Sequence, residues 1–255
     1  MAMWNPWRGC KKCSEGCKFC YIHKGDYKRK INTNLIRKTA DFNKPIERNK
    51  DGSYKIKKGI VYLCFSSDFL IADADIWRNE CWNMIKERSD LTFLFLTKRI
   101  DRFLDCIPTD WGDGYENVVV CCTIENQNSA DYRLSIFEKL PIKKKCITAQ
   151  PLLEKIEIEK YLKNIYLVVV GGESDYQARS LNYEWVLEIR EQCIRTNTNF
   201  EFRQCGTYFI INGQQLKFSK KELTQQAKLL NINYYTKGRG IYWNSFVINY
   251  WLILF

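Results

Sequence analysis

Leu91-Thr-Phe-Leu-Phe-Leu-Thr97-Lys98-Arg99 is an almost wholly apolar, β-rich run that turns polar within three positions. Apolar residues at nearly every position, rather than at alternate ones, are how a parallel strand buried on both faces reads. The same design recurs at Ile60–Phe65, Asn117–Cys122, Lys145–Thr148, Ile165–Val170 and Asn199–Phe202. Successive starts lie roughly 20 to 35 residues apart, which leaves room for a helix between each pair. Helical periodicity fills two of the gaps, with Trp77, Cys81 and Met84 in one and Val186, Ile189 and Cys193 in another. With a short strand around Met3-Trp4-Asn5, these units predict an α/β fold: a partial or complete (β/α) TIM-type barrel with parallel strands and an N-terminal cysteine-rich metal loop.

The polar ends decide where function sits, because parallel strands present their C-terminal ends on one face and that face carries the active site. They are Ser66-Ser67-Asp68, Thr97-Lys98-Arg99, Thr123-Ile-Glu125-Asn126, Ala149-Gln150-Pro151, Gly171-Gly172-Glu173-Ser174 and Arg203-Gln204. Lys98, Arg99, Arg203 and Gln204 are the candidate catalytic residues. Lys98, Arg99, Arg179 and Arg203 are cations suited to a carboxylate or phosphate, and the plainer role for each is an ion pair with Asp68, Glu125 or Glu173. Asp75 and Asn182 are expected to cap helices, a role also open to Ser67 and Ser174.

Between the first strand and the second lies Cys10-Lys-Lys-Cys13-Ser-Glu-Gly-Cys17-Lys-Phe-Cys20-Tyr21. Four thiols in eleven positions call for a chemical reason. Thiolates select zinc or an iron-sulfur cluster, and a cubane cluster held by three cysteines leaves one iron free for a further ligand. Cys10, Cys13, Cys17 and Cys20 are therefore the candidate metal ligands. Gly9 and Gly16 supply a permissive backbone for the wrap, and Phe19 would set an aromatic face beside the metal. His23 is the only histidine, so schemes built on histidine pairs or a serine triad have almost no material; a surface position is expected for it.

The Cys13, Cys17, Cys20 spacing, C-x3-C-x2-C with an aromatic before its last cysteine, resembles the cluster loop of radical S-adenosylmethionine enzymes. That resemblance implies a [4Fe-4S] cluster and S-adenosylmethionine as cofactors, Phe19 near the adenine, Gly171-Gly172-Glu173 near the cofactor's amino group and Glu125 near its ribose. Ser67, Asp68 and Ser174 complete the candidate cofactor-binding set. A second resemblance covers residues 3 to about 235. Trp4-Asn-Pro-Trp-Arg-Gly-Cys10, Phe65-Ser-Ser-Asp68, Phe95-Leu-Thr-Lys-Arg99, Thr123-Ile-Glu-Asn126, Gln150-Pro-Leu-Leu153, Val170-Gly-Gly-Glu-Ser174 and Phe202-Arg-Gln204 are similar, in order, to the phage gene-product 37 / gene-product 68 type family, domain of unknown function 5131. Relatives there show C-x6-C-x2-C, which maps to Cys10, Cys17 and Cys20, so two assignments of the three ligands stand.

The chain's 255 residues, 45% of them apolar and 15% aromatic, suffice for a single barrel domain spanning 1–255. Twelve cysteines without a signal peptide, several inside apolar runs, point to a reducing cytoplasm. The net charge is +11, and much of it falls in a basic insertion, residues 24–59. A solvated surface is the plain reading of such a run; a positive rim for a nucleic acid or nucleotide substrate is the functional one. Asn212-Gly213 predicts a hairpin, part of a C-terminal hairpin and apolar tail over 206–255. The run 241–255 is strongly apolar but contains Asn and Ser and is shorter than the ~20 residues a spanning helix needs, so no membrane span is expected. Three function classes follow: a radical S-adenosylmethionine-like enzyme served by a flavodoxin- or ferredoxin-type reductant, a zinc- or cluster-stabilised nucleic-acid-binding module, and a redox cluster protein.

Overall fold

The computed structural model describes residues 2–236; the apolar tail 241–255 lies outside them. Two compact units are distinguished, 1–122 with 139–144 and 123–138 with 145–255. The first unit contains β1 (Ala2–Trp4), β2 (Trp7–Arg8), α1 (Tyr21–Lys28), β3 (Arg37–Lys38), β4 (Gly59–Leu63), α2 (Asp75–Glu87), β5 (Leu91–Thr97), α3 (Phe103–Cys106) and most of β6 (Val118–Ile124). The second contains α4 (Gln127–Phe137), β7 (Lys145–Ala149), β8 (Ile165–Gly171), β9 (Leu181–Asn182), α5 (Tyr183–Arg195), β10 (Asn199–Gln204), β11 (Tyr208–Ile211), β12 (Gln214–Lys217) and α6 (Leu223–Leu229). Parallel pairing runs β1-β4-β5-β6 in the first unit and β7-β8-β10 in the second.

This is the mixed α/β architecture of a partial barrel. The complete TIM-type ring is not formed by the described residues, and the second unit shows a physical reason: the outer side of β10 is occupied by an antiparallel bridge from Phe200 to Tyr234. That bridge supplies partners to an edge that would otherwise expose unpaired backbone groups.

In the first unit the core is aromatic. Trp7 stacks on Phe69 with ring centroids 5.3 Å apart, Phe69 meets Trp82 edge-on at 5.1 Å, and Trp82 meets Trp111 at 5.2 Å. Each of the core's indoles finds an acceptor: Trp4 donates to the Phe42 carbonyl, Trp7 to Asp68, Trp82 to Cys106 and Trp111 to Pro141. A buried indole N–H without a partner would cost on the order of 1–3 kcal/mol. Cys81 and Met84 are buried on α2 as the periodicity requires, while Trp77 is half-buried. Asp75 is not the N-cap; Ala74 is, and Asp75 is the first helical residue, ion-paired with Arg78 and Arg102.

In the second unit Val186, Ile189 and Cys193 are buried on α5, and Asn182 caps that helix by accepting from Glu184 N at 3.0 Å. The hairpin forms as expected: β11 pairs with β12, and Asn212 and Gly213 both take positive φ, 51° and 74°, as a two-residue primed turn demands. Strand register places Thr148 and Glu201 opposite Val169 from its two sides, so the three side chains share one face of the sheet. Among the described residues, neither the Thr148 hydroxyl nor either Glu201 carboxylate oxygen has a hydrogen-bond partner.

Burial pushes Glu201 up to about 7, against the opposing charges of Arg203 and Lys228. The folded state thus holds this proton more tightly than the unfolded chain. The stability linked to it is complete below about pH 4.5 and is lost as pH rises through about 7. Glu201→Gln should remove that dependence. The difference in unfolding free energy between variant and parent, measured by urea titration from pH 5 to pH 8, should move in the variant's favour by up to about 3 kcal/mol. A difference that stays flat with pH would show that Glu201 does not titrate in this range.

Candidate functional site

The first unit's site begins where β4 stops. Cys64 adopts φ 62°, a left-handed conformation uncommon for a residue with a side chain, and it turns the chain into Phe65-Ser66-Ser67-Asp68. This turn is stitched to the segment that leads into the cysteine loop. Ser66 N donates to Asn5 Oδ1 at 2.9 Å, Ser66 Oγ to the Trp7 carbonyl at 3.0 Å, and Ser67 Oγ to the Gly9 carbonyl. Gly9 has φ +101°, and a Cβ there would lie 2.6 Å from the Leu35 carbonyl oxygen and 2.8 Å from that of Thr33. Only glycine fits, and Cys10 N then donates to the Thr33 carbonyl at 2.8 Å.

Asp68 is the hub. Its Oδ1 accepts from Leu70 N at 2.9 Å and Thr97 Oγ1 at 2.8 Å; its Oδ2 accepts from Lys98 N at 3.0 Å and Arg99 Nη1 at 3.2 Å. Arg99 in turn donates from Nη2 to the Lys11 carbonyl at 2.6 Å, and Lys98 Nζ reaches Ser14 Oγ at 3.4 Å. The ends of β4 and β5 therefore grip the cysteine loop at Gly9, Lys11 and Ser14. Tyr21 closes its far side by donating from its hydroxyl to the Phe65 carbonyl at 2.5 Å.

The four thiols share one electrostatic neighbourhood. Cys17 is drawn down to about 4 by a hydrogen bond from Cys13, with Lys98 acting the same way; Cys13, which gives that hydrogen bond, is correspondingly raised. Burial pushes Cys10 up to about 11, with Asp68, Cys20 and Cys17 adding to it, and burial likewise raises Cys20. The Cys13–Cys17 hydrogen bond thus favours the thiolate at Cys17 and the thiol at Cys13. Among the described residues no group of three or more His, Cys, Asp or Glu side chains stands at metal-holding separations. The donor chemistry, four soft sulfurs in one loop, still suits an iron-sulfur cluster or zinc. Phe19 has Lys18 Nζ 5.2 Å and Lys24 Nζ 5.1 Å from its ring centroid. His23 is half-buried rather than at the surface, because α1 turns it inward, and its Nε2 has no partner among the described residues. Burial and nearby Lys12 hold its pKa down.

The second unit carries the other strand-end residues, and its carboxylates are engaged. Glu125 is buried and pairs with Arg133 Nη1 at 2.8 Å. Glu173 receives Arg179 through its backbone N at 2.8 Å, Nε at 3.1 Å and Nη2 at 2.5 Å. The Gly171-Gly172 turn answers a packing need: a Cβ on Gly172 would lie 2.8 Å from Gly206 Cα, and one on Gly171 3.0 Å from Gln150 Cδ. Gln204 Nε2 donates to the Gly172 carbonyl at 2.6 Å; Arg203 is buried beside it, and Ser174 is half-buried. Sequence reading anticipated the ion pairs of Arg99 and Arg179 but not Arg133, nor the unpartnered Thr148 and Glu201. A polar residue at a period-two position inside an apolar strand is the signal that marks the last two.

The family model for DUF5131, a protein of unknown function, matches residues 1–239, and the chain belongs to that family. No curated protein and no solved structure matches the chain.

Asp68→Ala should release Arg99 and Lys98 together, leaving several donors without their acceptor. A loss of about 3 kcal/mol in unfolding free energy is expected, with the cysteines of the loop alkylated faster by a thiol reagent. Asn at the same position should recover only part of the stability, because it retains one acceptor oxygen. Unchanged alkylation in the Ala variant would show that Asp68 does not hold the loop.

Proposed function

We propose that this member of the DUF5131 family is a radical S-adenosylmethionine-like enzyme, holding a [4Fe-4S] cluster through three of Cys10, Cys13, Cys17 and Cys20. The observation that carries the reading is the gripping of a four-thiol loop by Ser67, Lys98 and Arg99 from the polar ends of parallel strands. When bound with the cofactor, such a cluster supplies one-electron cleavage of the sulfonium and hydrogen abstraction from a substrate. The chain's own residues would prepare the site. Cys17 offers a ready thiolate, and Lys98 and Arg99 offset negative charge on the sulfurs.

Phe19, Ser67, Asp68, Glu125, Gly171, Gly172, Glu173 and Ser174 are the proposed cofactor contacts. Glu125 and Glu173 are proposed to accept hydrogen bonds from the cofactor, with Arg133 and Arg179 orienting their carboxylates. Arg203 and Gln204 are proposed to face substrate with Lys98 and Arg99. All twelve cysteines are free thiols, and a cluster with this ligand set needs a reducing compartment, for which we propose the cytoplasm, with a flavodoxin- or ferredoxin-type reductant. No helix among the described residues is long and apolar enough to cross a membrane.

Protein reconstituted anaerobically with iron and sulfide should be brown, with a charge-transfer band that bleaches on reduction. Incubated with S-adenosylmethionine and dithionite, it should release 5′-deoxyadenosine and methionine. Among the single Cys→Ala variants at 10, 13, 17 and 20, three should lose the band and one should keep it. Colourless protein carrying one tightly held zinc would favour the nucleic-acid-binding module. A requirement for all four cysteines would leave no iron open and end the cofactor reading.

A further inference from the structure

Residues 9–38 contain nine basic side chains and two acidic ones, a net charge of +7 out of the chain's +11. Of the two acidic groups, Asp26 is fully buried between Arg8 and Arg29, each 2.7 Å from its Oδ1, and so presents no negative charge outward. Lys12, Lys18, Lys28, Lys30 and Arg37 are all exposed, and none has an ion-pair partner among the described residues. The other cations of the stretch behave differently: Lys11 pairs with Asp73, and Lys38 with Glu80.

The segments that carry these five are tied to one another, Lys18 through the Phe19 ring that it shares with Lys24 of α1. β2 and β3 pair antiparallel with Arg8 opposite Arg37; Arg8 and Arg29 meet at Asp26 on α1; Lys12 acts on His23 of the same helix; and Thr33 and Leu35 pack on Gly9 at the mouth of the cysteine loop. Tyr27, next to Lys28 on α1, is 85% exposed, and Leu35 is 56% exposed. Lys30 follows at φ 57°, closing α1 where glycine is the usual choice. A charged side chain is kept there at a backbone cost of roughly 1 kcal/mol. The helix dipole accounts for Lys28 and Arg29 near the C-terminal end of α1, but not for Lys12, Lys18, Arg37 or the bare ring of Tyr27.

We propose that this surface binds a single-stranded polynucleotide, with Lys12, Lys18, Lys28, Lys30 and Arg37 along its phosphates and Tyr27 stacking on a base. Exposed cations without counter-ions track a phosphate backbone, and an aromatic face accepts any base. Duplex nucleic acid fits less well, because its bases are already stacked on one another and leave Tyr27 nothing to receive. Bound there, the strand lies beside the cysteine loop. The inference rests on the proposed cluster chemistry only for the strand's role as substrate; binding is independent of it.

The test uses the full-length reconstituted protein, its cluster followed by absorbance, with fluorescence anisotropy of labelled oligo(dT) and oligo(U) 12-mers, a 12-base-pair duplex, and phosphatidylserine vesicles. Single strands should bind more tightly than duplex. Tyr27→Ala should weaken them about 5- to 150-fold, and Tyr27→Phe should restore binding. Joint Lys28→Ala, Lys30→Ala and Arg37→Ala should lower the salt slope of single-strand binding by about 2, at roughly 0.7 per phosphate contact. A preference for oligo(U) over oligo(dT) would assign the strand as RNA, and the reverse as DNA. Duplex bound as well as single strands, an inert Tyr27→Ala, or vesicle binding alone would each overturn the proposal. Binding without a cluster would sink the cofactor reading and leave this one standing; a cluster without binding would do the opposite.

Discussion

Asp68 holds together what would otherwise be three separate segments. Its four donors come from its own turn, from the end of β5 and from the Arg99 guanidinium, and Arg99 passes the restraint on to the backbone of the cysteine loop at Lys11. A buried carboxylate is costly to leave without partners and is well held when its lone pairs are filled by directed donors. The rest of the first unit's site depends on that arrangement. Trp7 donates to the Asp68 carbonyl while stacking on Phe69, so the hub is also fixed to the aromatic core. A loop of eight residues from Cys13 to Cys20 has little apolar area of its own and takes its conformation from these polar ties.

The second unit solves the same problem with arginines. Glu125 meets Arg133 from α4, and Glu173 meets Arg179 from the loop after β8. In each case the acid follows a strand and the base comes from the connection that leads away, so the ion pair fixes how the chain leaves the sheet. Single partners removed from such pairs leave an uncompensated buried charge. This explains why acidic residues at strand ends need not contact a ligand in order to be required by the fold.

The strands were legible because burial on both faces leaves a continuous apolar signature, and β5, β7 and β8 begin where that signature begins. Ends were less legible. The run Ile60–Phe65 looks like one strand, yet β4 stops at Leu63, since Cys64 turns left-handed to bring Ser66 and Ser67 onto residues 5–9. Asp75 has the composition of a cap, but Arg78 and Arg102 claim its carboxylate one residue inside the helix. The two-residue β2–β3 and β9–β11 pairings carry no periodicity, being too short for one. For the site, the strand-end residues could be named from their positions, but their partners could not. Arg133 stands eight residues beyond Glu125, across a helix whose geometry, not its sequence spacing, brings the two together.

Charge connects the cysteine loop to the surface around it. Ionising three thiols in one loop concentrates negative charge in a half-buried place, and the cations acting on it are Lys98 on Cys17 and Arg99 on Cys10 and Cys13. Arg99 already shares its charge with Asp68, so the immediate balance is thin. The exposed cations of residues 9–38 add a diffuse positive field that favours the thiolate forms, but across water and salt such a field fades over roughly 10 Å. The two sets of cations therefore separate by their exposure. Lys98 and Arg99 act at short range where screening is weak, while Lys12, Lys28, Lys30 and Arg37 act where salt competes. Raising ionic strength should therefore weaken the field of the outer cations while leaving the ionisation of Cys17 almost untouched, so the cysteine loop and the basic surface beside it have separable energetics.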